Sequence, residues 1–541
     1  MKIDTVKSGL PVAEEYRWII TATLLFLSVS ASLVYINAAG PVQRDGSHFL
    51  FMANNIYSGL PPYWASFETK NPFVEYLWAL FYIPLAPWTG IVIASRIAEG
   101  FYIALTGLIT MYSLVLCNRS FISNAAGVTT RGIYLFAIAG GLAVIFILSD
   151  WRIVDNGFNI AIYQSLPEAL ALLSALWLVK NTSLKVSVTL GLAVFVAWWT
   201  KQTSVVTLAF PLVVTLFWAQ KLGRIRAYIV SAAVAFSVFV GCVGLFFLSL
   251  WNNGTFNYYF RGTHSFHFAR AGADLTESFA KLWRLLFSRL DFPDNLALWI
   301  SAGFLLLLGI FLVQWFRAHR GAGELKQFFP KLFLLAWLFG SLFQAYLPLE
   351  FFPHYFLACL VPAVICGGVF LLSCDWLRAD LRGISTVILA ATAFALIGYY
   401  PQYDLLHRMT ESSPIYHRVA RLGEIIPADK KVFIWGGLMH FHVLLERASD
   451  YPQNMWWPYI MNSMSQVERD KELRANLFDD PPDFFIEFYE TYQSNLPATS
   501  VPLDNDKMKR WTGRDYKLVG GFKSSRGRYG VPVRIFKRLD S

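Results

Sequence analysis

Over roughly the first 400 positions, apolar residues run on in long stretches with no polar face; over the last ~140, short apolar stretches alternate with polar ones. A helix that crosses a membrane needs about 20 mostly apolar residues. About eleven runs meet that need, at 18–39, 90–117, 133–150, 161–179, 186–200, 203–220, 227–250, 295–316, 332–348, 355–373 and 384–400. The two runs flanking Lys201 are short, yet together too long for one crossing, so the chain is read as turning back at Thr200–Gln202. In the last part, Val432–Trp435, Phe484–Phe488, Lys517–Phe522 and Val531–Phe536 have the length and composition of strands. The expected fold is therefore a polytopic α-helical membrane protein with about eleven transmembrane helices in residues 1–400 and a small soluble α/β domain in 401–541. The run 18–39 is too long for a signal-peptide core and is expected to remain as the first span. No internal repeat is evident, which argues against a transporter built from inverted halves.

Charge then orients the spans. Only 15% of the 541 residues are charged, against about a quarter in soluble domains. The net charge of +10 reflects Lys and Arg gathered between spans rather than a nucleic-acid surface. With the N-terminus in the cytoplasm, every inner loop is basic: Arg119 and Arg131; Lys180 and Lys185; Lys221, Arg224 and Arg226; Arg317, Arg320, Lys326 and Lys331; Arg378 and Arg382. The opposite face then holds three long segments, 40–89, 251–294 and the C-terminal domain. This pattern predicts a multi-pass protein of the cytoplasmic (inner) membrane with a periplasmic C-terminal domain. The five cysteines lie in or beside apolar runs and read as packing residues.

Candidate chemistry concentrates in the segment 40–89. Asp45, just beyond the first span, is placed either to take a proton from an acceptor hydroxyl or to cap the helix that follows. Glu68 and Lys70 lie where the chain returns to the bilayer, and an ammonium there can hold a phosphate. Lys201 sits almost within apolar sequence, as a functional cation or a snorkelling interfacial lysine. Glu168, or its rival Asp155, supplies a second carboxylate, and Gln202 adjoins Lys201. The segment 251–294 interleaves aromatics with Arg261, His264 and His267, a composition suited to sugar stacking and anion contact. Its Leu275–Leu290 stretch is amphipathic and predicts an interfacial helix. His354 and Tyr355 precede the tenth span, His354 as a substrate contact or a helix-end residue. Arg96 and Glu99, one turn apart, are expected to pair for structural reasons. No metal motif is present.

The first segment reads Arg44-Asp45-Gly46, a helix, Gly59-Leu60-Pro61-Pro62-Tyr63, then Lys70-Asn71-Pro72. This resembles the first loop of GT-C glycosyltransferases, in particular the branch holding protein O-mannosyltransferases and the lipid A aminoarabinose transferase. Lys70-Asn71-Pro72 departs by one residue from the Lys-Pro-Pro common in that family. Further likenesses are Gln164-Ser165-Leu166-Pro167-Glu168, Trp199-Thr200-Lys201-Gln202-Thr203, Phe352-Pro353-His354-Tyr355-Phe356 and Val432-Phe433-Ile434-Trp435-Gly436.

The resemblance implies a GT-C fold and an inverting glycosyltransferase that moves a sugar from a polyprenyl-phosphate donor to an acceptor hydroxyl on the outer membrane face. Asp45 would be the general base. Lys70, Lys201 and Arg261 would hold the donor phosphate. Glu68, Asp155, Glu168, Gln202, Tyr63, His264, His354 and Tyr355 would line the substrate site. The acceptor is a glycan, lipid or protein. No cofactor is required, although an acidic pair could take a divalent ion. A flippase for a lipid-linked sugar and a non-catalytic envelope-assembly partner stay open as alternatives. The orientation predicts that alkaline phosphatase fused within 40–89 or after residue 411 is active, and that the same reporter fused after Lys180 or Arg320 is inactive. The reverse pattern of fusion activities would overturn it.

Overall fold

The computed structural model describes residues 12–65, 70–121, 130–154, 157–260, 262, 296–320, 328–347, 353–372, 381–436, 439–452, 466–488, 503–522 and 533–541. Its helices are α1 (Val12–Ala38), α2 (Arg44–Tyr57), α3 (Phe73–Phe121), α4 (Thr130–Leu148), α5 (Ala161–Lys180), α6 (Leu184–Thr200), α7 (Ser204–Lys221) and α8 (Ile225–Asn252). There follow α9 (Leu296–Arg320), α10 (Phe329–Tyr346), a 3-10 segment Pro353–Cys359 continued by α11 (Leu360–Leu372), α12 (Leu381–Glu411) and α13 (Pro414–Ile425). Each apolar run read from the sequence coincides with a helix. Among the described residues, eight helices are long and apolar enough to cross a membrane, and Leu184–Thr200 is a shorter apolar one. The architecture is that of a polytopic helical membrane protein. Cys117, Cys359 and Cys366 are buried free thiols, as packing residues would be, and Cys374 lies outside the described residues.

Two boundaries differ from the sequence reading. The second span belongs to a longer helical stretch: α3 begins at Phe73 and is broken at Gly90, whose φ of 77° and ψ of 163° are not helical. Glycine alone takes that conformation without strain, and the predicted span start at 90 falls on this break. Helix α12 continues to Glu411, through the domain boundary drawn at 401, with Pro401 inside it.

The chain divides into two compact units. The first comprises Met1–Ala39, Arg96–Gly244 and Asp274–Leu406; the second comprises Gly40–Ser95, Leu245–Ala273 and His407–Ser541. Each is described by itself. In the first, α3 and α4 approach closely through small residues. A Cβ on Gly141 would lie 2.7 Å from the Gly107 carbonyl, so the approach depends on glycine. The expected Arg96–Glu99 pair is present, with Nη1 to Oε1 at 3.4 Å and both side chains almost wholly buried. Glu99 also accepts a 2.7 Å hydrogen bond from the Phe158 amide, and the Arg96 guanidinium lies 3.9 Å from the Phe158 ring centroid. A buried ion pair needs such extra partners to offset desolvation. Here they tie the loop after α4 to α3.

The second unit contains the C-terminal sheet, with strands β1 (Val432–Trp435), β2 (Phe484–Phe488), β3 (Tyr516–Phe522) and β4 (Val533–Arg538) in the order β1-β2-β4-β3. β1 and β2 are parallel; β4 is antiparallel to both β2 and β3. Among the described residues, α13 and the helices α14 (His440–Leu444), α15 (Gln466–Leu477) and α16 (Asn505–Thr512) accompany this sheet, in keeping with the small α/β domain read from the sequence. Its core gathers Phe433, Trp435, Leu473, Phe485, Trp511 and Tyr516, among others. In the same unit, the break at Gly90 is met by Glu446, whose Oε1 accepts a hydrogen bond from the Ile91 amide at 3.1 Å. A carboxylate there satisfies one of the amides that a helix start leaves open.

His442 is fully buried on α14, its Nδ1 3.2 Å from the Arg447 carbonyl and its ring centroid 4.8 Å from that of Phe51 on α2. Burial, reinforced by the Arg447 charge, lowers its pKa to about 3. The unfolded imidazole titrates near 6.5, so between those values the unfolded chain binds a proton that the folded one does not. The contribution is therefore complete above pH ~6.5 and falls by up to about 1.4 kcal/mol per pH unit as pH drops toward 3. Thermal unfolding from pH 6.5 to 4.5 should fall more steeply in the native chain than in His442→Gln, which keeps a donor for the Arg447 carbonyl. Equal slopes would show that His442 stays uncoupled from folding.

Candidate functional site

In the second unit, the segment singled out by sequence is organised around α2. The N-cap is Gln43, with extended backbone and no side-chain capping bond, so Asp45 does not cap the helix. It lies inside the first turn, where a carboxylate complements the positive helix end, and its side chain is exposed. From Gly46 to Asn55 every residue is buried. The helix ends in a Schellman arrangement: Gly59 has φ +86°, its amide donates to the Ile56 carbonyl, and the Leu60 amide donates to Asn55. This explains why a glycine stands at the head of Gly59-Leu60-Pro61-Pro62-Tyr63.

Tyr63 then takes a left-handed conformation with φ 65°, uncommon for a residue with a side chain. It is buried. Its hydroxyl donates to the Lys70 carbonyl at 2.7 Å and its ring packs edge-on against Tyr259, centroids 5.1 Å apart. Tyr63 thus holds the backbone of Lys70. The Lys70 ammonium lies 4.6 Å from the centroid of the Phe49 ring. Phe49 is four residues beyond Asp45, so both stand on one face of α2. The structure therefore brings the Lys70 ammonium to the helix face that carries Asp45. Asn71, the residue that departs from Lys-Pro-Pro, is buried and accepts a 3.1 Å hydrogen bond from the Tyr259 hydroxyl. Glu68 lies outside the described residues, as do Arg261, His264 and Leu275–Leu290.

The first unit holds a separate polar cluster among apolar helices. Lys201 ends α6 with extended backbone, and α7 starts at Ser204, so the chain breaks where a turn was expected. The Lys201 ammonium is 5.1 Å from the Tyr355 ring centroid, and the His354 ring meets Tyr355 edge-on at 4.7 Å. Lys201 also interacts electrostatically with Glu168, and the Ser204 hydroxyl faces that carboxylate. Glu168 is fully buried on α5, with Oε1 accepting from Gln164 Nε2 at 2.6 Å. The network continues: Gln164 Nε2 reaches Gln344 Oε1 at 2.6 Å, Thr207 donates to the same oxygen at 2.5 Å, and Gln344 Nε2 donates to Thr203 Oγ1 at 2.9 Å. Of the sequence candidates, Glu168, Lys201, His354 and Tyr355 belong to this cluster, with Gln202 beside Lys201 in the turn. Asp155, the rival to Glu168, lies outside the described residues.

The sequence reading missed Gln344 and Thr207, and quoted Gln164 and Thr203 only as parts of runs. The signal was there for Gln344: an amide alone in the apolar run 332–348 is a polar group that must find a partner. Glu446 had no such signal, because an acidic residue in a soluble domain is ordinary. Among the described residues, no three His, Cys, Asp or Glu side chains gather as a metal site. Comparison with models of protein families and with curated proteins finds no match to the chain.

Gln344→Leu removes one partner from Gln164, Thr207 and Thr203 together. Each buried group left without a partner costs about 1–3 kcal/mol, so detergent-solubilised Gln344→Leu is expected to unfold at clearly lower temperature than the native chain. The near-isosteric Thr207→Val removes a single donor, and Gln344 Oε1 keeps its bond from Gln164, so this variant is expected to cost less. Equal losses would refute the central place of the amide.

Proposed function

We propose that the chain is an inverting glycosyltransferase of the GT-C type, with about eleven crossings, that uses a polyprenyl-phosphate sugar on the outer face of the cytoplasmic membrane. The observation that carries this reading is the placement of Lys70 over Phe49, on the face of α2 that presents Asp45. A base and a phosphate-binding cation at one end of the same helix are what the reaction needs. The acceptor hydroxyl oxygen attacks the anomeric carbon while the Asp45 carboxylate takes its proton. The bond from that carbon to the phosphate oxygen breaks, and its electron pair leaves on polyprenyl phosphate. Attack from the face opposite the leaving group inverts the centre. The Lys70 ammonium offsets the charge gathering on the departing phosphate, an interaction stronger in the transition state than in the ground state.

The exposed side chain of Asp45 suits a group that must meet an acceptor. The proposal rests on Asp45 and Lys70 and places no demand on the Glu168–Lys201 cluster. That cluster favours a second reading, passage of a lipid-linked sugar through the helices, since ionisable groups among spans mark such routes.

The test is transfer in proteoliposomes from a panel of polyprenyl-phosphate sugars to envelope-derived acceptors. Asp45→Asn is expected to lower product formation about 10²–10⁴-fold, the usual contribution of a general base, with donor binding retained. Lys70→Met should lower the rate more than Lys70→Arg. Undiminished transfer by Asp45→Asn sinks the base assignment. Movement of donor across the bilayer with no glycoside formed, from every donor tried, selects the transport reading.

A further inference from the structure

The first unit carries a cavity of about 520 Å³ at the surface of its apolar helices, walled by α3, α5, α6 and α7. Its size lies within the ~300–1,000 Å³ range of pockets that hold small ligands. Ile109 and Tyr112 of α3, Leu173 and Trp177 of α5 and Lys185 of α6 line it, and Trp218 of α7 closes one side. Trp218 is nearly buried and stacks on Phe329 at a centroid distance of 6.2 Å, which fixes that wall. Tyr112 and Trp177 are 40% and 56% exposed, so the cavity opens away from the protein. In a chain that spans a membrane, that opening faces lipid.

Two hydroxyls of the wall are occupied along their own helices. Ser174 Oγ donates to the Leu170 carbonyl at 2.8 Å and Thr189 Oγ1 donates to the Lys185 carbonyl at 2.9 Å, each along its own helix. The charged group in the lining is Lys185, whose side chain is exposed. Lys185 is the second residue of α6 and follows the short turn from α5. The end of a spanning helix such as α5 lies at the membrane–water interface, and Lys185 follows it by five residues, so the ammonium stands at headgroup depth. Along α5 the cavity reaches from Trp177 up to Leu170. Leu170 is ten residues from the end of α5 at Lys180, or about 15 Å of helix. That equals half the ~30 Å hydrocarbon thickness of a bilayer. The cavity thus covers one leaflet, from the interface to the midplane, with a cation at its wet end.

We propose that this cavity binds one anionic phospholipid, with an acyl chain along α3 and α5 and its phosphate at Lys185. Charge complementarity selects the headgroup, and the one-leaflet depth selects a lipid tail over a longer isoprenoid chain. A filled groove also restores the contacts that a void beside Leu173 and Ile109 would forfeit. The inference rests on the membrane-spanning architecture and is independent of the transferase reading.

Native mass spectrometry of the full chain, released from nanodiscs of phosphatidylglycerol and phosphatidylethanolamine, tests it. The expected result is one retained phosphatidylglycerol per chain, in preference to phosphatidylethanolamine. Lys185→Gln should cut that preference about fivefold, the effect of one basic residue near anionic lipid. Leu173→Trp and, at the exposed lip, Thr189→Trp should each remove the bound lipid. Two variants guard against misfolding, and an unchanged unfolding temperature identifies the informative one. Equal retention of the two lipids overturns the proposal, as does a lipid adduct that survives in a folded Trp variant. Displacement of phosphatidylglycerol by a polyprenyl phosphate would assign the groove to the donor instead, and a second copy of the chain in place of lipid would assign it to self-association.

Discussion

Gln344 joins three helices of the first unit through the two ends of one amide. Its carbonyl oxygen accepts from Gln164 on α5 and Thr207 on α7, and its nitrogen donates to Thr203 in the turn before α7. Among apolar helices no water is at hand to satisfy such groups, so each must find a protein partner. Helix packing in such a medium has little hydrophobic drive; close approach and interhelical hydrogen bonds take its place. The amide therefore does what an apolar core does in a soluble protein. It also holds Gln164 where that side chain can donate to Glu168. The turn after Lys201, through Thr203, and the buried Glu168, through Gln164, are both tied to this one arrangement.

The second unit solves a different problem, because its constraint lies in the backbone. Helix α2 must end and the chain must fold back within a few residues. Gly59 supplies the positive φ for the helix end, and Tyr63 takes a second one at a cost that its buried hydroxyl and ring contacts offset. Asn71 answers with a bond to Tyr259. These residues, which looked in the sequence like parts of a functional motif, are occupied in shaping the loop. Their combined effect is to lay Lys70 against Phe49 and leave Asp45 exposed. Division of labour of this kind is general: rigid supporting residues position a small number of reactive ones.

That division bears on the proposed chemistry. A lipid-linked sugar brings its own leaving group, so the protein has to supply a base, a cation and a fixed meeting place for the acceptor. In the proposed reaction, Asp45 and Lys70 would answer the first two requirements within one short segment. The polar cluster around Glu168 and Lys201 and the cavity at Lys185 place further charged groups among the apolar helices of the first unit.

Hydrophobic run length made the helices legible from sequence, because an apolar medium demands it of every crossing. Strand-like runs likewise located the four described strands to within a few residues. The Arg96–Glu99 pair was legible because helical spacing alone brings such residues together. Contacts between residues far apart in the chain were not. Nothing in the sequence ties Glu446 to the amide of Ile91, or Asn71 to Tyr259. Nor did spacing show that Asp45 lies inside its helix rather than at the cap, since only two residues of register separate it from the cap at Gln43. Sequence by itself determined where the chain is apolar, where it turns and which charged residues stand at those turns, since those follow from local composition. Only the tertiary structure decided which of them meet, because long-range packing and the pairing of buried polar groups depend on how distant segments are brought together.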